Sequence, residues 1–279
     1  MTDDPTILYE TPAANVARLV LNRPESRNAQ DTTLLYALNA AFDKAARDDA
    51  IKVIVLSAAG PHFSSGHDLR ETGSVADQMA AHDPVGTWCG FGCAGAEGRM
   101  AREKEIYLGL SERWRNIPKP TIAQVHGKCI AGGLMLAWPC DLIIASDDAA
   151  FCDNTVGMGV AGVEYFAHPW ELGPRKAKEL LFTADWLSAQ EAKALGMVNH
   201  VVPADTLAAF TLDLAIRIAA KPMFALRLAK EAVNAAEDGQ GRVNAMQTAF
   251  ALHQLAHSHN MQVHGMPIDP SGLQVSRKS

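Results

Sequence analysis

The sequence is poor in the features that mark a specialised class of protein. Basic residues are outnumbered: Lys and Arg total 25 against 31 Asp and Glu, a formal net charge of −6 over 279 residues. That balance excludes a surface built for nucleic acid, which needs a basic field. It still allows an anionic small ligand held by a few local cations. Cysteine is scarce, with five residues at 89, 93, 129, 140 and 152, and none of the paired C-x-x-C spacings of a zinc site. A disulfide framework is excluded on that pattern, and a reduced, cytoplasmic protein is expected. Long apolar runs are missing too. The longest small-or-apolar stretch, 129–140, is too short to span a bilayer and suits a buried helix, so no membrane partner is expected. The first ten residues, MTDDPTILYE, carry acidic residues where a signal peptide carries basic ones. Gly (21) and Pro (14) stand at ordinary levels, which removes collagen and low-complexity disorder.

What is present is an alternation of apolar runs and helical patterns through about the first two hundred residues. Residues 7–10 and 15–21 read as strands on either side of a turn. Asp31 is placed to cap a helix in which Leu34, Leu35, Leu38, Ala41 and Phe42 recur at helical spacing. The runs KVIVLS (52–57), TIAQV (121–125) and DLIIA (141–145) are short and nearly continuously apolar, as expected of strands buried on both faces. Residues 102–115 read as a helix stopped by Pro118 and Pro120, and 132–138 as a short apolar helix. Strand–helix–strand repetition implies right-handed crossovers and a mostly parallel sheet. Helical patterns at 206–220, 223–236 and 243–260 then take over. The expected organisation is an α/β core over 1–203, a helical region over 204–265 and a flexible tail over 266–279.

Two glycine-containing turns follow strands of that sheet. One is Phe63-Ser64-Ser65-Gly66-His67-Asp68-Leu69; the other runs from Val125 through Gly127 to Ile130-Ala131-Gly132-Gly133. Ligands of parallel sheets sit at the carboxyl ends of strands, where both turns fall. Glycine lets backbone approach a ligand closely, and a helix N-terminus leaves N–H groups without partners. Two such N–H donors from separate turns make an oxyanion hole. Taken on spacing alone, packing glycines in tight turns explain the same pattern.

The motifs together resemble the crotonase, or enoyl-CoA hydratase/isomerase, superfamily. The matching stretches are LNRPESRNA (21–29), FSSGHDL (63–69), PKPTIAQVHGKCIAGG (118–133), CDLIIASDDAAF (140–151) and LSAQEAKALGMVNHVVP (187–203). The resemblance implies a repeated ββα spiral core with C-terminal helices that take part in assembly into a homotrimer or dimer of trimers. It implies an acyl-CoA thioester substrate, with coenzyme A entering as part of the substrate and no tightly bound cofactor. By position, the thioester carbonyl is expected on the backbone N–H groups of His67 and Gly132. The coenzyme moiety is expected along Arg27, Asn28, Ala29, Ser65, Asp68 and Leu69.

The chain departs from that family at its chemistry. Hydratases carry two glutamates, and the corresponding positions hold Met135 and Thr155. Neither side chain does carboxylate acid–base work near neutral pH. Asp153, two positions before Thr155, and Glu164, in an altered loop, are the substitute acids; a loop cap and a structural ion pair are their bland alternatives. The leading expectation is a hydratase/isomerase-like enzyme with non-standard acid–base residues. A thioester or β-diketone hydrolase, or a decarboxylase, on the same cradle is the alternative, and a non-catalytic acyl-CoA-binding subunit is the third. Residues 72–100 are expected to cover the acyl group. His253, His257 and His259 share a helix, but only the first two lie on one face and no carboxylate accompanies them, so no metal is expected.

Overall fold

The computed structural model describes residues 5–272. β1 (Ile7–Ala13) and β2 (Val16–Leu21) pair antiparallel across a tight turn in which Asn15 takes φ 64°, a left-handed value that asparagine tolerates. The capping prediction for α1 (Thr32–Arg47) matches the geometry: the Asp31 carboxylate accepts the Leu34 N–H at 2.8 Å. β3 (Val53–Ala58), α2 (Val75–Ala80), α3 (Ala96–Glu103) and α4 (Leu110–Arg115) follow. Between α3 and α4 the helix widens into a π-helical stretch, Lys104–Gly109, which buries Glu105, Ile106, Tyr107 and Leu108. The single helix expected over 102–115 therefore starts earlier and carries an insertion, a feature that hydrophobic spacing does not encode.

β4 (Thr121–Val125), β5 (Lys128–Ile130), α5 (Leu134–Ala137), β6 (Leu142–Ser146) and β7 (Ala150–Cys152) come next. After them lie α6 (His168–Thr183), β8 (Leu187–Ser188), α7 (Ala189–Leu195) and β9 (His200–Val202). Six strands form one sheet in the order β1-β2-β3-β4-β6-β9, parallel from β2 onward. β5, β7 and β8 form a second, smaller sheet. The chain twice leaves one strand in each sheet in succession, β4 then β5 and β6 then β7, and after β3 Ser64 makes an isolated bridge to Cys129 of β5. This is the repeated ββα spiral that the sequence motifs imply.

The continuous apolar runs are explained by burial on both sheet faces. In β3, Ile54 and Leu56 enter the larger core with α1 and α5, whereas Val53 and Val55 enter a second core. That second core is closed by Leu207, Ala215 and Ala219 of α8 (Leu207–Ala219). α9 (Met223–Gly239) contributes no buried residue and exposes Phe224, Leu228 and Val233. α10 (Arg242–His264) buries Met246, Phe250, His253 and His257 along one face. Beyond it the chain returns toward the site: the Asp269 N–H donates to the Met158 carbonyl at 2.8 Å. Residues 273–279 of the expected tail lie outside the described residues. None of the described helices is long and apolar enough to cross a membrane.

Candidate active site

The two glycine turns meet. Gly66 has φ 91°, and a Cβ there would lie 2.9 Å from the Ile130 carbonyl and 3.2 Å from Gly132 N. A side chain at 66 would wedge the turns apart, so glycine is required for both the backbone angle and the close approach. The segment after Gly66 runs as an isolated parallel bridge with Gln30. That bridge uses the N–H groups of Gln30 and Asp68, at 2.8 and 2.9 Å, and not that of His67. Gly132 sits in the 3₁₀ turn Ala131–Gly133, whose first N–H groups have no acceptor within the turn. The positive end of that turn and of α5 backs the same point.

A cavity of about 950 Å³ opens beside this junction. Its lining includes Arg27, Ser65, His67 and Leu69 of the expected residues, together with Lys128, Ile130, Ala131, Thr155 and Trp186. Arg27 and Lys128 give the mouth its cations, and Lys128 lies over the Trp186 ring at 4.8 Å. His62, also at the mouth, is held below its ordinary pKa by burial and then by Lys128 and Arg27, so it adds no positive charge near neutrality.

Asn28, Ala29 and Asp68 are placed differently. Asn28 is fully buried and pins the loop: its amide donates to the Ala59 and His62 carbonyls, both at 2.9 Å. Ala29 is buried beside it. The Asp68 carboxylate is taken up by Arg23 and Arg70. Of the lining residues described, none comes from 72–100.

The two substitute acids diverge. Asp153 has no exposed surface and is satisfied on every side. One oxygen accepts from Thr155 N at 3.0 Å and Thr155 Oγ1 at 2.6 Å; the other accepts from Val163 N at 3.1 Å and His168 Nε2 at 2.8 Å. Burial alone would raise its pKa, but these bonds and the His168 ring outweigh it and hold the carboxyl below its ordinary value. Neither Asp153 nor Glu164 lines the cavity, and Asp153 has no lone pair left for a substrate.

Glu164 stands beside His67, with Oε2 3.1 Å from His67 Nε2. Its other oxygen lies 3.4 Å from His253 Nε2. Here too burial pushes upward, and the His67 and His253 imidazoles more than reverse it, so Glu164 is a buried carboxylate. The His67 ring stacks on Tyr107 of the π-helical stretch, with centroids 3.8 Å apart. A carboxylate only accepts, so the bond to Glu164 places a proton on Nε2. Nδ1 is then free, enclosed and without a hydrogen-bond partner. It points at the oxyanion turn, since a Cβ on Gly132 would lie 2.7 Å from it. The sequence identified His67 only for its backbone; nothing in the residue pattern announced the side-chain pair with Glu164.

The fold is a crotonase-type spiral, with two glycine turns meeting beside a cavity lined by Arg27 and Lys128. The comparisons with known proteins agree with that fold. A family model for enoyl-CoA hydratase/isomerase matches residues 11–85 and 92–268. EchA13, a candidate enoyl-CoA hydratase of Mycobacterium tuberculosis (strain ATCC 25618 / H37Rv), is 48% identical over 264 residues, covering 93% of this chain and 83% of its own. A crystal structure of a probable enoyl-CoA hydratase from Mycobacterium smegmatis superposes with TM-score 0.84 at 49% identity, over 94% of this chain and 98% of that one. An enoyl-CoA hydratase/isomerase from Xanthobacter autotrophicus Py2 superposes with TM-score 0.79 at 34% identity, over 99% and 94%. The chain belongs to the enoyl-CoA hydratase/isomerase family of the crotonase superfamily.

Proposed function

We propose that this chain is an enzyme acting on an acyl-CoA thioester through an enolate, with His67 in two roles. Its backbone N–H and that of Gly132 hold the thioester oxygen, and its side-chain Nδ1 moves the proton. Glu164 positions the ring and balances the charge that the ring gains, as a carboxylate does for a general-base histidine. The observation that carries this reading is the enclosed, unpartnered His67 Nδ1, aimed at the Gly132 turn while Glu164 holds Nε2.

For an enoyl-CoA the steps balance. The oxygen of water bonds to Cβ and its proton passes to His67 Nδ1. The π-electrons move onto the thioester oxygen, where the two N–H groups stabilise the charge. The protonated His67 ring then returns that proton to Cα as the enolate collapses, giving the 3-hydroxyacyl thioester and restoring the neutral imidazole. Arg27 and Lys128 at the mouth suit the phosphates of coenzyme A, and Ser65 and Leu69 line its path. Coenzyme A enters as part of the substrate. Asp153 supports the site by holding the 153–163 loop and is assigned no proton transfer.

A second reading, hydrolysis of a thioester or a carbon–carbon bond by the same pair, is favoured by Met135 and Thr155 at the usual glutamate positions. Loss of enoyl absorbance with crotonyl-CoA and longer enoyl-CoAs, with products weighed by mass spectrometry, separates the two. A product heavier by one water supports hydration, and released coenzyme A supports hydrolysis. Binding without any turnover overturns both in favour of a non-catalytic subunit.

The exposed Phe224, Leu228 and Val233 of α9 support assembly as a homotrimer or dimer of trimers, which analytical ultracentrifugation measures. Five free thiols support a reducing compartment, and we place the protein in the cytoplasm.

A further inference from the structure

A second cluster of functional groups lies behind Glu164, away from the cavity. Glu103 of α3 and His253 and His257 of α10 are all buried, and their ligating atoms lie within 4.8 Å of one another. The two histidines share a helix face but have no carboxylate near them in sequence. The fold supplies one from the far side of the chain.

The tautomers are set by backbone. His253 Nδ1 lies 2.7 Å from the Gly162 carbonyl, and His257 Nδ1 lies 2.5 Å from the Pro267 carbonyl. A carbonyl only accepts, so each ring carries its proton on Nδ1, and each neutral ring presents the Nε2 lone pair. Both lone pairs point at carboxylate oxygens: His253 Nε2 is 3.6 Å from Glu103 and 3.4 Å from Glu164, and His257 Nε2 is 3.6 Å from Glu103. These separations are too long for hydrogen bonds. Bonds of about 2.0–2.2 Å in a tetrahedron put ligand atoms about 3.3–3.6 Å apart, which is the separation of each histidine Nε2 from one of the two oxygens of Glu103. His253 Nε2 is left without a hydrogen-bond partner among the described residues. The outer contacts fit as well. Metal-bound imidazoles donate their other N–H to carbonyls and ligating carboxylates accept outer hydrogen bonds, as Glu103 does from Gln254.

We propose that Glu103, His253 and His257 bind one divalent first-row transition-metal ion, with zinc the cation that two imidazoles and a carboxylate fit best. Once bound, the ion would take over from the imidazoles in offsetting the buried carboxylates of Glu103 and Glu164. It ties α3, α10, the segment carrying Gly162 and Glu164, and the returning turn at Pro267 into one unit. The site stands whether the enzyme hydrates, hydrolyses or does neither.

The test uses the full chain, stripped of metal with a chelator and titrated with zinc chloride by calorimetry. One ion per chain is expected. The thermal midpoint should rise by roughly 5 °C or more at zinc about 100-fold above its dissociation constant. The Glu103→Gln variant should weaken binding by at least about tenfold, and the His253→Gln/His257→Gln double variant should lose the site. Cobalt, added to the unaltered chain, should develop the intense visible absorption of a low-symmetry protein-ligated ion, a readout that survives if the variants fold poorly. A cobalt spectrum of the hydrated ion alone, no zinc uptake by the unaltered chain, or uptake unchanged in the double variant overturns the proposal.

Discussion

The two sides of the candidate site are made of different material. The side proposed for the thioester is backbone: the turns carrying the N–H groups of His67 and Gly132, brought together because Gly66 takes φ 91° and leaves no Cβ between them. The side proposed for acid–base work is made of side chains drawn from distant parts of the chain. His67 follows β3, Tyr107 comes from the π-helical stretch, and Glu164 comes from the loop before α6. A backbone site constrains residue type at the turns themselves and tolerates many chemistries around it. A side-chain site can be rebuilt from new positions while the cradle stays.

Removing the side-chain half alone should have the largest effect. His67→Ala keeps the backbone N–H, so acyl-CoA binding by calorimetry should change little while kcat falls about 10²–10⁴-fold. Equal losses in binding and turnover would show that the ring serves only to shape the pocket. Damaging the backbone half comes next. In Gly66→Ala the new Cβ meets the Ile130 carbonyl at 2.9 Å and the residue is held at positive φ, so the turns must part. A loss of about 10²–10³ in kcat/KM is expected, the range for a misplaced oxyanion donor.

Asp153 tests whether support and chemistry are separate. Asp153→Asn leaves the bonds from Thr155 but removes the charge facing His168. Breaking a buried pair costs about 3–5 kcal/mol, and the bonds that asparagine keeps should bring this to about 2–3 kcal/mol. The thermal midpoint should drop by roughly 5–10 °C while kcat on the folded protein is retained. The sign with pH follows from a folded pKa below the unfolded one. The carboxylate's stabilisation is complete above about pH 4 and fades as pH falls through the folded value, so the gap between variant and parent should close only in acid. The smallest effect is at the mouth. Arg27→Ala should raise KM about two- to fivefold at low salt, with the difference shrinking as salt is added, because the side chain is exposed.

The same division explains what could be read from residues alone. The turns 63–69 and 125–133 were legible because glycine is demanded at fixed places in a short stretch. β3 was legible because burial on two faces leaves an unbroken apolar run. β5 and β7, at three residues each, are too short to show any period. Asp153 and Glu164 were equally good acids in sequence. What separates them is orientation: one turns into its own loop and His168, the other toward His67. Glu103 and the two histidines of α10 lie about one hundred and fifty positions apart, and only the packing of α10 against α3 joins them.

In the proposed mechanism an enolate forms on the backbone cradle and the His67–Glu164 pair moves its proton. Incubation with a saturated acyl-CoA in deuterium oxide tests this without presuming hydration or hydrolysis. Mass spectrometry then counts the deuterium gained at Cα. The account predicts exchange with the unaltered protein, and a rate at least about 10²-fold lower for a folded, ligand-binding Glu164→Gln variant. Exchange that proceeds undiminished in that variant, or no exchange in a protein that turns over enoyl-CoA, would contradict it.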